Sequence, residues 1–248
     1  CGIGEFSDLA ALGKWCAKTG FEVIQILPVN DTGANSSPYS AISALALHPV
    51  YINLQSLPQS GFLLDEIEHF KEKYENMPRV RYAEVRLGKL SFLERMYTRY
   101  REEIMKDSDL LSWIGDNSWI KPYAIFNIMK KKYDNHHWKI WPVLDSPTID
   151  DIEKEWGSNL EEGTFHAWIQ FHLEKQLKSA ALSLEKRGIY LKGDIPILMN
   201  EDSADVWMYR KYFDLSMKAG APPDMFSNLG QNWRSEERRV GKECIVKC

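Results

Sequence analysis

Carboxylates crowd the C-terminal part of the sequence, Asp194, Glu201, Asp202, Asp205 and Asp224 among them. Such a supply suits glycosyl chemistry, in which one carboxylate stabilises or traps an oxocarbenium-like centre and another protonates the departing oxygen. Spacing alone does not pair them. Asp194 follows the apolar run Gly188-Ile-Tyr-Leu-Lys-Gly193 and precedes Ile195-Pro-Ile-Leu198, so it reads as an acid carried by a strand. A carboxylate there has no helix to cap, which leaves a site acid and a buried structural acid as the two readings. Asp202-Ser203-Ala204-Asp205 resembles the first turn of a helix, so Asp202 and Asp205 serve either a site or the free amides of a helix start.

Tyr39, directly after Ser37-Pro38, and Trp207, Phe226 and Trp233 offer flat apolar faces with polar rims, a match to the C–H and hydroxyl surfaces of a sugar. Each can equally belong to a core. His48, His69, His136, His137, His166 and His172 form no His-Glu-x-x-His, and neither Gly-x-Ser-x-Gly nor a phosphate-binding glycine run occurs. Metalloprotease, serine hydrolase and nucleotide-binding readings therefore lack their signatures. Gly2-Ile-Gly4 permits at most a tight turn near a ligand.

The elements that must position these groups alternate between helix and strand. Ser7 or Asp8 can cap a helix whose apolar positions Leu9, Leu12 and Cys16 recur at helical spacing and which Gly20 terminates. Phe21–Leu27 then reads as a buried strand that Pro28 ends, ahead of the polar Asp31-Thr-Gly33. Ala41–Leu57, broken by Pro49, reads as packed loop with a short extended piece at Val50–Leu54. From about Asp65 to Asp109, charges interleave with apolar residues as in one or two amphipathic helices after Pro78, and Trp119–Tyr133 supplies another. The most periodic segment begins at Thr164 and is closed by Gly188, after which Ile189–Met199 reads as a second strand. Helix delivered directly into strand, twice, favours an α/β fold with parallel strands.

Composition bounds the rest. A chain of 248 residues, 44% hydrophobic, fills a large core, and a formal charge of -4 offers no field to nucleic acid or an anionic membrane. The lysines and arginines of the 65–109 region alternate with acids, as on a solvated helix face. No run of apolar residues is long enough to span a bilayer. Cys1, Cys16, Cys244 and Cys248 are too few and scattered for a disulfide framework, and Cys244 and Cys248 lack the histidine partners of a zinc site, so a cytoplasmic protein without metal is expected.

Several motifs, in order along the chain, resemble one family. These are Gly2-Ile-Gly-Glu-Phe-Ser-Asp-Leu9, Ile26-Leu-Pro-Val29, Thr32-Gly33, Ser37-Pro-Tyr-Ser-Ala-Ile-Ser-Ala44, Gly193-Asp-Ile-Pro-Ile197, Asp202-Ser-Ala-Asp-Val-Trp207, Ala221-Pro-Pro-Asp-Met-Phe-Ser227 and Gly230-Gln-Asn-Trp233. They are similar to the 4-alpha-glucanotransferases, or amylomaltases, of glycoside hydrolase family 77. The resemblance implies an α/β fold, part of a TIM (β/α)8 barrel of the alpha-amylase type. Residues 1–64 would begin the barrel, 65–161 form a mostly helical insertion, and 162–233 continue the barrel. It also implies cleavage of an α-1,4-glucan through a covalent glycosyl-enzyme with retention of configuration, and transfer to the 4-hydroxyl of an acceptor. Oligomaltosides, maltodextrin or starch fragments would be donors and glucose or maltose acceptors, with no cofactor. A related amylase-like hydrolase and a non-catalytic glucan binder are the alternatives.

By the same resemblance, Asp194 is a supporting carboxylate, Ser37, Tyr39, Gln231 and Trp233 line the glucan cleft, and Asp205 and Asp224 hold loops. The family's nucleophile lies in an Arg-Ile-Asp-His-type segment beyond the Gly-Gln-x-Trp motif, with the acid/base later still, and neither segment occurs here. An N-terminal partial chain, catalytically incomplete, is the expectation. Gly2 falls where the family's first strand has already passed, and residues 234–248 resemble nothing in the family. A barrel so divided would leave open strand edges and depend on the remainder for solubility.

Overall fold

Two helices end on left-handed glycines, and each passes the chain straight into a strand. Helix α1 (Asp8–Thr19) stops at Gly20, with φ 79°, and strand β1 (Val23–Gln25) follows. Helix α7 (Leu160–Glu185) is closed by Gly188, with φ 70°, and strand β2 (Tyr190–Lys192) follows. Only glycine enters that region without steric cost, so the sequence marks both turns. The computed structural model describes residues 2–196, 199–216, 220–223, 225, 228 and 231–232.

The two strands pair in parallel, with Val23 opposite Tyr190, Ile24 opposite Leu191 and Gln25 opposite Lys192. Helices α1 and α7 cover one face of the pair, around a small core of Cys16, Ile24, Leu184 and Ile189. They approach closely because residue 13 is glycine: a Cβ there would lie 2.2 Å from Leu184 Cδ2.

The strands are shorter and wetter than the sequence suggests. Among the described residues only one sheet face is covered, so within β1 Ile24 is buried while Val23 is 53% exposed, and Phe21 and Leu27 lie exposed outside the ladder. The ladder stops soon after, because Pro28 has no N–H to continue it, and its last bond runs from Ile26 N–H to the Lys192 carbonyl at 3.0 Å. Asp194 therefore lies beyond the end of β2 rather than within a strand.

Between β1 and β2 the chain makes α2 (Leu64–Glu75), α3 (Tyr82–Ile104), α4 (Ser108–Asp116), α5 (Ile120–Lys132) and α6 (Ile149–Ser158) before α7. Helix α4 starts on Asp107, whose carboxylate accepts from Asp109 and Leu110 N–H, and α6 starts on a capping box of Thr148 and Asp151. At α1, by contrast, Ser7 makes no side-chain cap, and the Asp8 carboxylate accepts from Glu5 N–H. Leu12, read as inward, is exposed; the buried positions are Gly13 and Cys16. Tyr123, Phe126 and Met129 of α5 are buried as their spacing predicts, and α7 begins at Leu160, a turn earlier than Thr164. The main core runs without a break from Phe6 through these helices to Trp207.

The Val50–Leu54 segment is no strand but a 3-10 turn, Pro49–Tyr51, followed by buried Ile52 and Leu54. Its carbonyls find a cation. Lys89 of α3, 0% exposed, donates from Nζ to the carbonyls of Val50 at 2.7 Å and Ile52 at 2.8 Å and to Glu5 Oε1 at 2.6 Å. Burial pulls the Lys89 ammonium below its usual range, with Glu5 opposing that pull. Helix α7 holds the same loop from the other side. Gln170 accepts from Leu47 N–H and donates to its carbonyl, both at 2.8 Å, and Gln176 does the same for Asn53 at 2.8 and 3.0 Å.

Removing the ammonium alone takes the buried cation from the Glu5 carboxylate and the donor from two carbonyls, so Lys89→Met is expected to cost about 3–5 kcal/mol. Adding Glu5→Leu should recover part of that in urea unfolding; equal losses in single and double variants would contradict a coupled pair.

His166 and His172 of α7 have pKa values lowered by burial to about 4. A depressed folded pKa means the unfolded chain binds more protons in the interval, so this stability is complete above about pH 6.5 and lost as pH falls toward 4. Melting curves across that range should fall less steeply for His166→Gln and His172→Gln than for the wild type; parallel curves would refute the assignment.

Candidate functional site

Because β1 and β2 are parallel, the loops that follow them emerge at the same end, and there they meet. Tyr39 Oη donates to Asp194 Oδ2 at 3.0 Å across 155 residues of sequence. Tyr39 is 43% exposed and Asp194 half-buried, and Asp194 Oδ1 accepts from Ile195 N–H at 2.9 Å. The hydrogen bond to the carboxylate, with smaller contributions from burial and from its charge, raises the Tyr39 pKa, so the phenol stays a donor. The pair thus presents an oriented carboxylate beside an open aromatic ring.

The first loop is folded around Asp31. Its N–H donates to the Ala46 carbonyl at 2.8 Å, its carbonyl accepts from Ile42 N–H at 2.7 Å, and its carboxylate takes Gly33 N–H at 2.9 Å and the Tyr123 hydroxyl at 2.6 Å. Asp31 is buried, not a polar group at a pocket mouth. A cavity of about 100 Å³ lies behind it, lined by Asp31, His48, Arg86, Tyr123, His166 and Gln170. Ligand pockets run to roughly 300 Å³ and more. That cavity is therefore too small for a ligand of ordinary size, whereas the Tyr39 ring stands open to solvent.

The second loop is joined to the first through backbone. Asn200 N–H donates to the Ala41 carbonyl at 3.2 Å and Ala204 N–H to the Ile42 carbonyl at 2.8 Å. Asp205 adds a side-chain tie, its Oδ2 accepting from Ala44 N–H at 2.6 Å. Burial raises the Asp205 pKa, and the bonds from Ala44 and Ser43 pull against that rise. Ser37 is exposed in the turn that carries Tyr39, with its carbonyl accepting from Ser40 N–H at 3.1 Å.

The other candidates separate. Asp202 is no cap: Ser203 caps α8 (Ala204–Met208), its Oγ accepting from Val206 N–H. Asp202 instead takes Lys130 Nζ at 2.6 Å, while Glu201 pairs with Lys139. Trp207 is core, packed against Phe126 and Trp141 and donating from Nε1 to the Leu144 carbonyl. Gln231 belongs to a short antiparallel pair, β3 (Gly220–Ala221) with β4 (Gln231–Asn232). Asp224, Phe226, Trp233 and the tail 234–248 lie outside the described residues. Among the described residues no group of three or more His, Cys, Asp or Glu could hold a metal ion, and no helix is long and apolar enough to cross a membrane.

Comparison with known proteins agrees with the motifs. The family described as 4-alpha-glucanotransferase matches residues 1–236. The chain belongs to that family. It is 38% identical over 240 residues to a 4-alpha-glucanotransferase of Chlamydia caviae, covering 94% of this chain and 44% of that protein. A 4-alpha-glucanotransferase of Chlamydia pneumoniae is 37% identical over 239 residues, covering 94% and 45%. The amylomaltase of Streptococcus agalactiae, solved in complex with acarbose, superposes with a TM-score of 0.76 at 25% identity over 94% of this chain and 49% of its own. The chain therefore has an amylomaltase-like fold, mostly helical with a small parallel sheet, and spans about half the length of the relatives it matches.

A raised folded pKa means that Asp205 favours folding most in its protonated form: its contribution is complete below the ordinary carboxylate pKa and lost as pH rises through the folded value. Asparagine keeps the acceptor for Ala44 without the charge. Wild type is thus expected to gain stability relative to Asp205→Asn on acidification from pH 7 to 4. A relative loss, read from paired melting temperatures, would sink this account.

Proposed function

We propose that this chain supplies the donor-side glucan site of a 4-alpha-glucanotransferase, and the hydrogen bond between Tyr39 and Asp194 is the observation that carries the reading. In it, the Tyr39 ring stacks on the sugar beside the scissile bond while its hydroxyl orients Asp194. The carboxylate then lies where positive charge develops at the anomeric carbon, and a fixed charge at that point lowers the barrier more than one that must reorient. Ser37, Gln231 and Trp233 extend the cleft, and Asp205 and Asp224 hold its loops. Reaction proceeds with retention through a covalent glycosyl-enzyme, and a bound acceptor sugar, glucose or maltose, outcompetes water for it. The acarbose complex of the Streptococcus agalactiae amylomaltase supports a glucan-like ligand.

In this reading β1 and β2 are two strands of a TIM-type barrel. Their parallel pairing supports it, as does the uncovered sheet face, where Val23 and Tyr190, 69% exposed, would meet further strands in a barrel interior. A site at the C-terminal ends of the strands fits the same architecture. Residues 65–161 are then a helical insertion between barrel segments 1–64 and 162–233. The nucleophile and general acid/base belong to family segments that do not occur among these 248 residues, so this chain by itself binds glucan without turnover. The free, buried Cys16 suits a cytoplasmic enzyme.

Maltotriose is the test. A protein carrying this segment together with the later family segments should redistribute it into glucose and longer maltooligosaccharides, and Tyr39→Ala or Asp194→Asn should lower that rate about 100-fold. Release of sugar to water alone, with acceptor in excess, would identify a hydrolase instead. Redistribution by the 248-residue chain on its own would overturn its catalytic incompleteness.

A further inference from the structure

Tyr39 is fixed on one side by Asp194 and on the other by a chain of bonds that leaves the strands altogether. It occupies the turn Ser37-Pro38-Tyr39-Ser40, closed by Ser40 N–H on the Ser37 carbonyl. Both ends of that turn are held by one side chain. Asn35 Oδ1 accepts from Ser37 N–H at 2.9 Å, and Asn35 Nδ2 donates to Ser40 Oγ at 3.2 Å. Asn35 is in turn held at its carbonyl, which accepts from the Tyr82 hydroxyl at 3.0 Å and from Thr32 Oγ1 at 2.5 Å.

Tyr82 is the first residue of α3, and its hydroxyl is itself oriented. His48 Nδ1 accepts from Val50 N–H at 3.2 Å, so the neutral ring carries its proton on Nε2 and donates it to Tyr82 Oη. Burial lowers the His48 pKa and favours that neutral ring, which meets the Tyr82 ring edge-on at 5.8 Å and 89°. With its acceptor role used by His48, Tyr82 has one proton to give. The Gly33 carbonyl at 3.4 Å and Thr32 Oγ1 at 3.3 Å lie farther away than Asn35 O. The path from His48 through Tyr82 and Asn35 therefore ends on the turn that aims Tyr39.

We propose that Tyr82 is a positioning residue for Tyr39: by anchoring Asn35 it sets where the Tyr39 hydroxyl and ring stand relative to Asp194. This rests on the reading of Tyr39 as the aromatic that faces the sugar. It makes a helix from the 65–161 region responsible for the geometry of a group carried by the loop after β1. Tyr82 touches neither sugar nor reacting atoms, and removing its hydroxyl leaves Asn35 held only within its own loop, by Thr32.

The test reads Tyr39 directly, with no sugar needed. In the full chain labelled with 3-fluorotyrosine, whose phenol titrates below that of tyrosine, the fluorine signal of Tyr39 is the one lost in Tyr39→Phe. Its titration should move down in Asp194→Ala, which removes the bond that raises the Tyr39 pKa, and part of the way down in Tyr82→Phe. An unchanged Tyr39 midpoint in folded Tyr82→Phe would overturn the proposal, since a purely structural tyrosine would alter melting temperature alone. If Tyr82→Phe does not fold, Asn35→Ala, which cuts the same path at a partly exposed residue, should produce the same shift, and a wild-type midpoint there would overturn it equally. In maltotriose transfer by a protein carrying this segment together with the later family segments, Tyr82→Phe should lower kcat/KM about tenfold. The loss should vanish in a Tyr39→Ala background; additive losses would reject the coupling. Were the protein with both sets of segments inactive on maltotriose, the glucan reading would fail while the fluorine titration still decided the positioning.

Discussion

The site depends on a parallel ladder only three residues long. The register of Val23 on Tyr190 through Gln25 on Lys192 sends the two following loops out at the same end and so brings Tyr39 to Asp194. Such a ladder is weak by itself, since isolated two-stranded pairs are marginal and parallel ones need their faces covered. Its stability comes from α1 and α7, packed against one face through Gly13 and Leu184, and from the left-handed glycines that let each helix feed its strand without slack. Movement of α7 relative to α1 would change the distance between the Tyr39 phenol and the Asp194 carboxylate that follow the two strands.

Beyond the ladder, side chains perform the backbone pairing that further strands would otherwise provide. Gln170 and Gln176 each satisfy both backbone groups of a residue 123 positions earlier, as a neighbouring strand would. Lys89 gathers two carbonyls of the 3-10 turn, and Asp205 takes the amide of Ala44. A loop of this length buried in a core must satisfy its polar backbone groups, because each one left unpaired costs about 1–3 kcal/mol. These side chains let an irregular segment, 26 to 63, lie against the core while holding Tyr39 in a fixed place.

Local signals in the sequence were legible where the physics is local. The 3.6-residue periodicity located α5 and α7, and Gly20 and Gly188 located the junctions, because helix burial and positive φ are decided within a few residues. Strand length was not, since Phe21–Leu27 is apolar throughout and only a pairing partner, far away in sequence, decides where the ladder ends. The acids illustrate the same division. Asp202 and Asp205 flank a good capping serine and read alike, yet Lys130 claims one and Ala44 the other. The family motif marks Tyr39, but its bond to Asp194 has no local signature; Tyr82 reads as an apolar position of an amphipathic helix, and nothing local marks Gln170 or Gln176, because their partners are loop backbone.

The helices between β1 and β2 are therefore more than a covering for the sheet. Through Lys89, α3 holds the Val50–Ile52 carbonyls; through Tyr82 at its first turn, it reaches the loop that carries Tyr39; and α5 places the Tyr123 hydroxyl on Asp31, the residue around which that loop folds. All three contacts are hydrogen bonds to buried or half-buried groups, where loss of one partner leaves the other unsatisfied. Burial makes such bonds stiff, and under the proposed function stiffness is what an oriented carboxylate requires, because a charge that must reorganise during reaction stabilises less than one already in place. The sheet brings the two loops together, but the position of Tyr39 within its loop is set from the helical layer.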